Sequence, residues 1–241
     1  MNLLTIYSRK GGQSKTTLAL DLAVLAGPGT LLVDCDPQCS LSALLLGGDS
    51  EVCAIPRERT ITAAFEGLQV APIEVRPGIW LLPGSHQVKA SSSLQLPSGF
   101  DQAIADTGPS FADGIVRSVL AKSSHCLNPI TPEPMSIQSV GAGMEAFASV
   151  AAFSNPHLRH LGIVLTQYRK GVSVHLAVKN LLENMYGDRV LSTVLPQAAA
   201  VSEASGLGKS VLEVHPRSPS SEALRKLVDE IGRRLQVRSA A

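Results

Sequence analysis

Aromatic residues and long hydrophobic runs are both scarce in this sequence. Phe, Trp and Tyr make up 4% of the 241 residues, so a core must be built mainly from Leu, Val, Ile and Ala. No apolar run reaches the roughly 18 residues that a membrane-spanning helix needs, and the first residues lack the charged and apolar regions of a signal peptide. With 44% hydrophobic and 17% charged residues, the composition predicts a globular, cytoplasmic protein and argues against disorder.

Cysteine and histidine occur, but not in the spacings that bind metals. The four cysteines form no CxxC pair, and no histidine stands at ligand spacing beside them. None of the six histidines belongs to an HExxH motif. These absences argue against zinc sites, and they predict reduced, structural cysteines at positions 35, 39, 53 and 126.

Charge is balanced overall but not along the chain. The net charge is +1, which by itself does not indicate a nucleic-acid partner. Residues 1–156 contain nine Lys/Arg and thirteen Asp/Glu, whereas residues 157–241 contain twelve and seven. The C-terminal third could therefore present a basic face to a polyanion. The alternative interpretation is a solvated helical surface, which composition alone favours.

Strands and helices alternate along the chain. The hydrophobic patterns predict strands at 1–8, 30–33, 79–82, 103–105, 126–130, 161–165 and 190–195. They predict helices at 15–26, 40–47, 60–68, 111–121, 136–151, 173–186 and 219–235. The Ser-rich stretch 84–99 shows no clear periodicity and is predicted to be mostly loop. This order predicts an α/β fold, with a mostly parallel sheet and helices on both faces, in a single domain over residues 1–241.

A glycine-containing loop lies between the first predicted strand and the first predicted helix. Gly11 and Gly12 allow a tight turn that presents backbone N–H groups inward, and the following helix points its positive dipole end at the same place. Lys15 can place its ammonium on the β- and γ-phosphates of a nucleotide, and Thr16 can offer its hydroxyl to Mg²⁺. The alternative is a glycine turn beside two chance lysines.

The loop departs from the strict GxxxxGK[ST] pattern of phosphate-binding loops at two positions. Arg9 stands where the first glycine belongs, and Ser14 stands where the second belongs. If that second position requires a positive φ, Ser14 is strained there. The strand–loop–helix context nevertheless favours phosphate binding.

Acidic residues follow two of the predicted strands. Asp34 and Asp36 are two residues apart at a strand end, so both side chains point toward the edge where ligands bind in α/β sheets. Asp106 ends the strand at 103–105. The alternative is that these acids are polar turn residues, and Asp-Pro is a common turn pair.

Taken together, these segments resemble the ParA/MinD family of P-loop ATPases. Residues 10–17 (KGGQSKTT) resemble its deviant Walker A loop, KGGxGKTT, in which an extra lysine precedes the glycines. Residues 31–38 (LLVDCDPQ) resemble its second motif, and residues 100–110 resemble its Walker B segment, with Gly108 in place of a proline. The resemblance implies a nucleotide site made by Lys10, Gly11, Gly12, Gln13, Ser14, Lys15, Thr16 and Thr17.

The resemblance also implies individual roles. Lys10 reaches across a dimer to the partner's nucleotide, and Asp36 positions or activates the attacking water. Thr16 and, through water, Asp106 hold Mg²⁺, and Asp34 lies near the metal and phosphates. The implied catalytic residues are Lys10, Lys15 and Asp36.

The function that the resemblance implies is an ATP- and Mg²⁺-dependent homodimer that positions a cargo by cycling on non-specific DNA. A ParB-like or adaptor protein stimulates slow hydrolysis, and the cargo is a plasmid or chromosome centromere complex or a protein body such as a carboxysome. The expected location is the nucleoid. The resemblance is to the small form of ParA, which implies a protein without an N-terminal helix-turn-helix domain. The DNA-binding candidates are Lys209, Arg217, Arg225, Lys226, Arg233 and Arg234.

Two alternatives stay open. One is a MinD-like ATPase that cycles on membranes through a C-terminal amphipathic helix, which the absence of Phe and Trp from that helix disfavours. The other is a nucleotide-binding module with very weak hydrolysis, which Ser14 makes worth testing.

Overall fold

The computed structural model describes residues 1–90 and 94–239, with side chains as far as residue 235. The strands are β1 (Asn2–Ile6), β2 (Thr30–Cys35), β3 (Ile73–Arg76), β4 (Ile79–Leu82), β5 (Gln102–Thr107), β6 (His125–Ile130), β7 (Arg159–Tyr168) and β8 (Val190–Pro196). The helices are α1 (Lys15–Ala26), α2 (Ser40–Leu46), α3 (Asp49–Cys53), α4 (Ile61–Phe65), α5 (Ile115–Lys122), α6 (Pro134–Phe153), α7 (Ser173–Tyr186), α8 (Ala199–Gly206), α9 (Val211–Val214) and α10 (Pro219–Ser239).

The strands form one eight-stranded sheet in the order β3-β4-β2-β5-β1-β6-β7-β8. Every neighbouring pair is parallel except β3 and β4, which form an antiparallel ribbon at one edge. Helices cover both faces, as expected where crossovers join parallel strands. The predicted fold class is therefore confirmed.

Two main apolar clusters lie on opposite faces of the sheet. On one face, Leu18 and Leu22 of α1 belong to the same cluster as Leu224 and Leu227 of α10. On the other, a separate cluster joins Phe65 of α4 to residues of α5 and to the inner strands. Burial of the apolar residues of α1 and α10 in the first cluster packs these two helices against each other beside the predicted nucleotide site.

The parallel register brings the predicted motifs together. Asp106 of β5 pairs with Ile6 of β1 on one side and with Asp34 of β2 on the other. Because carboxyl ends of parallel strands meet at one edge, the loops after β1, β2 and β5 converge there. The sequence-predicted loop and acids therefore face one another across this edge.

The structure adds elements that the hydrophobic pattern does not predict. β3 is short and carries polar Glu74 and Arg76, as befits an edge strand. α9 has four residues and depends on a capping box between Ser210 and Glu213 rather than on periodicity. α3 and α8 are also absent from the predicted elements. In the predicted loop 84–99, the described residues 84–90 and 94–99 form neither helix nor strand, and 91–93 lie outside the described residues.

None of the helices in the described part of the chain combines the length and the apolar character that a bilayer crossing requires.

Candidate functional site

The loop between β1 and α1 has the backbone shape of a phosphate cradle. Gly12 has φ of 73°, and Ser14, which precedes the first residue of α1, has φ of 61° and ψ of 26°. The position of Ser14 thus does require a left-handed backbone. The buried side chain of Gln13 anchors the loop to β6, because its Oε1 accepts from Thr131 N at 2.7 Å and its Nε2 donates to Thr131 Oγ1 at 3.0 Å.

Lys15 lies at the floor of this cradle. Its side chain is buried, and its Nζ donates to the carbonyl of Lys10 across the loop at 3.3 Å. Burial lowers the pKa of Lys15, although the carboxylates of Asp106 and Asp36 act in the opposite direction. A buried ammonium with one long hydrogen bond lacks the partners that a desolvated charge requires, which fits a group that binds phosphate oxygens.

Thr16 and Asp106 form the arrangement expected of a magnesium site. The Thr16 hydroxyl donates to Asp106 Oδ2 at 2.6 Å. Asp106 is fully buried, and its other oxygen, Oδ1, has no hydrogen-bond partner among the described residues. Burial and the nearby Asp34 raise the pKa of Asp106 to about 8. A buried carboxylate and a hydroxyl are oxygen donors of the kind that Mg²⁺ prefers, and the cation would stabilise the ionised carboxylate, so these residues fit the metal.

Asp34 organises the loop after β2. It does not line the phosphate cleft, which is the groove that residues 11–17 form with Asp36. Its Oδ2 accepts from the backbone N and the hydroxyl of Ser42 at 2.8 and 2.7 Å, and its Oδ1 accepts from Asp36 N at 3.1 Å. Burial raises the pKa of Asp34 to about 6, although these hydrogen bonds oppose the shift. The geometry thus assigns Asp34 to fixing the start of α2 and the position of Asp36.

Asp36 does line the cleft. Its side chain is half-buried, and its Oδ1 accepts from Gln38 N at 3.0 Å. Gly108 lies against it, because a Cβ added there would stand 3.0 Å from Asp36 Oδ1. The glycine that replaces the family's proline therefore leaves the Asp36 carboxylate room at the mouth of the cleft.

Lys10 points away from its own chain's cleft. Its Nζ donates to Glu133 Oε2 at 2.6 Å and lies 3.4 Å from Ser136 Oγ, both near the start of α6. Its side chain is 35% exposed, and the neighbouring Met135 is exposed as well. Within one chain, the structure therefore does not bring Lys10 together with Lys15, Thr16 and Asp36.

A cavity of about 390 Å³ continues from the cradle between α1, α8 and α10. Its walls combine apolar groups such as Leu18, Pro196 and Leu224 with hydroxyls and amides. Asp21 is buried in one wall and accepts from the Ser210 hydroxyl at 2.5 Å. Burial raises the pKa of Asp21 to about 6. The size and mixed lining suit a nucleoside beside the phosphate cradle.

Sequence reasoning missed Gln167, which borders both the phosphate cleft and this cavity. No motif marks it, and its one signal is its position at the carboxyl end of a parallel strand. The segment from Pro196 to Val201, which also lines the cavity, resembles the family's C-terminal core but suggests no role from residue type alone.

The six candidate DNA-binding residues divide into two groups. Five are exposed, namely Lys209, Arg217, Arg225, Lys226 and Arg233. Arg234 is half-buried. Its guanidinium donates to the carbonyls of Asp188 at 2.6 Å and Val190 at 3.2 Å, and it pairs with Glu230. These donors join α10 to the start of β8, so Arg234 has a structural role, and its assignment to DNA binding stays a prediction.

Comparison with known proteins places the chain in a family. The model of the CobQ/CobB/MinD/ParA nucleotide binding domain matches residues 4–211. The chain belongs to this family. The predicted ParA/MinD membership is therefore confirmed, and chromosome-partitioning proteins are among the curated relatives. Among these, the chromosome-partitioning ATPase Soj of Thermus thermophilus is 29% identical over 252 residues, covering 97% of this chain and 96% of Soj. The chromosome partitioning protein ParA of Caulobacter vibrioides is 26% identical over 264 residues, covering 100% and 97%.

Solved structures show the same fold. The structure of apo McdA from Cyanothece superposes with a TM-score of 0.81 at 18% identity, covering 98% of this chain and 99% of McdA. A putative plasmid partition protein of Borrelia burgdorferi bound to AMPPNP has a TM-score of 0.76 at 20% identity, covering 98% and 99%. At these identities the likeness concerns the fold.

Proposed function

We propose that this protein is an ATPase that dimerises with ATP and Mg²⁺ and positions a cargo by cycling on non-specific DNA. One observation carries the proposal: Lys15, Thr16, Asp106 and Asp36, from three separate motifs, converge at a cleft that opens into a nucleoside-sized cavity. Family membership and the partition ATPases among the relatives support it.

In the proposed reaction, water attacks the γ-phosphorus, the bond to the bridging oxygen breaks, and ADP and phosphate form. The loop N–H groups and Lys15 bind the phosphate oxygens, and Thr16 and Asp106 would hold Mg²⁺, which neutralises phosphate charge. Asp36, at the mouth of the cleft, orients the attacking water as a hydrogen-bond acceptor. Asp34 acts by holding the loop that carries Asp36.

Lys10 completes the site of a second copy in this proposal. Its ammonium lies outside its own cleft and pairs with partly exposed Glu133, so it is available at the surface for a partner's phosphates. A surface ion pair is worth little, so exchange of Glu133 for a triphosphate costs little free energy. Dimerisation then requires nucleotide, because the nucleotide supplies the charge that Lys10 meets.

The C-terminal helix favours DNA over a membrane as the surface on which the protein cycles. The apolar residues Leu224, Leu227 and Ile231 of α10 are buried against the fold, so this stripe is not free to enter a bilayer. Arg225, Lys226 and Arg233 remain exposed on the outer side. Phosphate contacts by such residues are independent of sequence and sensitive to salt.

Cosedimentation and turnover test the proposal together. With ATP and Mg²⁺, we expect the protein to bind random-sequence duplex DNA and not anionic liposomes, and Lys15→Ala to remove DNA binding. Pelleting with liposomes but not DNA would establish the MinD-like alternative. Nucleotide binding without turnover, even with DNA and a partition adaptor present, would establish the non-hydrolysing module.

A further inference from the structure

Strained backbone is concentrated around the phosphate cleft. Among the described residues, three that are not glycine have positive φ: Ser14 at 61°, Cys39 at 54° and Gln167 at 52°. Ser14 and Gln167 line the cleft, and Cys39 lies between two residues that do. A side chain in the left-handed region costs free energy, and such residues persist where surrounding contacts hold them, which is common at functional sites.

Two of these three residues bond to each other. The Gln167 amide uses its two donors on the loop: Nε2 donates to Ser14 Oγ at 3.0 Å and to the carbonyl of Gly12 at 3.0 Å. The preceding residue, Thr166, donates its hydroxyl to the carbonyl of Gln13 at 3.4 Å. The end of β7 thus contacts three consecutive loop residues.

The Ser14–Gln167 pair lies where a nucleotide would pass from base to phosphates. Three residues border both the phosphate cleft and the cavity between α1, α8 and α10, namely Ser14, Thr17 and Gln167. Both members of the pair are half-buried, so the amide is desolvated enough for its hydrogen bonds to matter and still faces the ligand space.

We infer that Gln167 is a positioning residue for nucleotide binding, which holds Ser14 in the left-handed conformation that the phosphate loop requires. Glycine adopts this conformation without a steric penalty from a Cβ atom. Serine adopts it here because the hydrogen bond that its hydroxyl oxygen accepts from Gln167 offsets the strain. The inference rests on the proposed nucleotide site, and it explains how a loop without the usual glycine keeps the shape of a phosphate cradle.

A double-mutant cycle tests the inference. It compares Gln167→Leu, which removes both donors, with Ser14→Gly, which removes the need for them, and with the double variant, using Mg·ATP titration by calorimetry. We expect Gln167→Leu to weaken ATP binding by about tenfold in the wild-type background, the size of a lost hydrogen bond in a partly buried site. Ser14→Gly alone sets the reference affinity of the second background, and we expect the same Leu substitution to cost at most about twofold on it.

Gln197→Leu is the matched control, since Gln197 borders the cavity but bonds to Arg169 rather than to the loop. We expect it to lose equal affinity with Ser14 and with Gly at position 14. Thermal unfolding without nucleotide identifies a variant that has lost its fold, and Gln167→Met then replaces Gln167→Leu.

Two results would overturn the inference: ATP affinity unchanged in Gln167→Leu, or an equal loss on the Ser14 and Gly backgrounds. A wild-type protein that binds no Mg·ATP would refute the proposed function itself. Binding by the wild type without coupling between positions 14 and 167 refutes only the role of Gln167.

Discussion

The phosphate-loop edge and the C-terminal helix both carry charged side chains, but they hold them in different environments. At the edge, Lys15 and Asp106 are buried, and each is constrained by specific neighbours. On α10, Arg225, Lys226 and Arg233 stand on the outer surface. A desolvated charge tolerates few partners and few positions, whereas an exposed charge tolerates many. Motif spacing therefore identifies the first region, while only a charge count points to the second.

Arg234 shows that a charge count does not tell which contacts a basic residue makes. It lies one residue from exposed Arg233, yet its donors go to backbone carbonyls and to Glu230. Two neighbouring arginines of α10 thus differ in role: Arg234 is a structural cation, and Arg233 is a surface cation.

The largest effect is expected on ATP turnover, at the phosphate-loop edge. Asp36→Ala should lower ATP turnover by at least about 100-fold, because it removes the acceptor that orients water. ATP affinity should stay within about threefold, since the cradle and Asp106 are untouched. Phosphate release and calorimetry measure the two quantities, with exposed Asp229→Ala as the control. Near wild-type turnover in Asp36→Ala would move the catalytic role to another group.

The second effect separates the two arginines of α10. Arg234→Ala should lower the free energy of unfolding by about 2 kcal/mol, because it leaves carbonyls of the β8 start and Glu230 without their donor. Arg233→Ala should change it by less than about 0.5 kcal/mol. Urea denaturation measures both, and equal values would contradict the distinction drawn between them.

The third effect tests the exposed surface. Arg225→Glu/Lys226→Glu should weaken ATP-dependent binding to random duplex by about tenfold and should flatten its salt dependence, because fewer counterions are released. Arg217→Glu should act in the same direction. Interferometry at two salt concentrations measures this, with Lys122→Glu on α5 as a control that matches Arg217→Glu in charge. Unchanged affinity in all α10-region variants would remove this face from DNA binding.

The smallest effect concerns Glu230, which joins the two types of region because it is a buried charge within α10. Burial raises its pKa, but hydrogen bonds from Ser192 and Thr193 outweigh this and lower the pKa to about 2. Its contribution to stability is therefore present above pH of about 4.5 and is lost as the pH falls toward 2. Glu230→Gln should lower the free energy of unfolding more at pH 7 than at pH 2, where the wild-type carboxylate is about half protonated, and urea denaturation at both pH values measures the difference. A difference that does not depend on pH would contradict this account.

The sequence predicts those parts of the molecule whose pattern is local. Predicted and observed bounds coincide for α1, β4 and α7, where apolar periodicity and Gly27 or Gly187 at the helix ends are clear. It does not predict β3 or α9, because pairing at a sheet edge decides the first and side-chain capping decides the second.

The same distinction holds within the site. Thr16 and Asp106 are predicted from motifs, and the register of β1 against β5 brings them to 2.6 Å. Gln167 has no motif, since its role depends on Ser14, which lies 153 residues earlier in the chain. Contacts of this kind follow from the fold and not from local spacing.

The mass of the particle with nucleotide tests the central claim most directly. Asp36→Ala protein should be studied by light scattering with ATP and Mg²⁺, because blocked turnover keeps any ATP-bound dimer intact. We expect a shift from the 25.3 kDa monomer to twice that mass. We also expect that adding Lys10→Ala prevents the shift while ATP still binds. A protein that binds ATP and stays monomeric, or a Lys10→Ala protein that dimerises normally, would contradict the account.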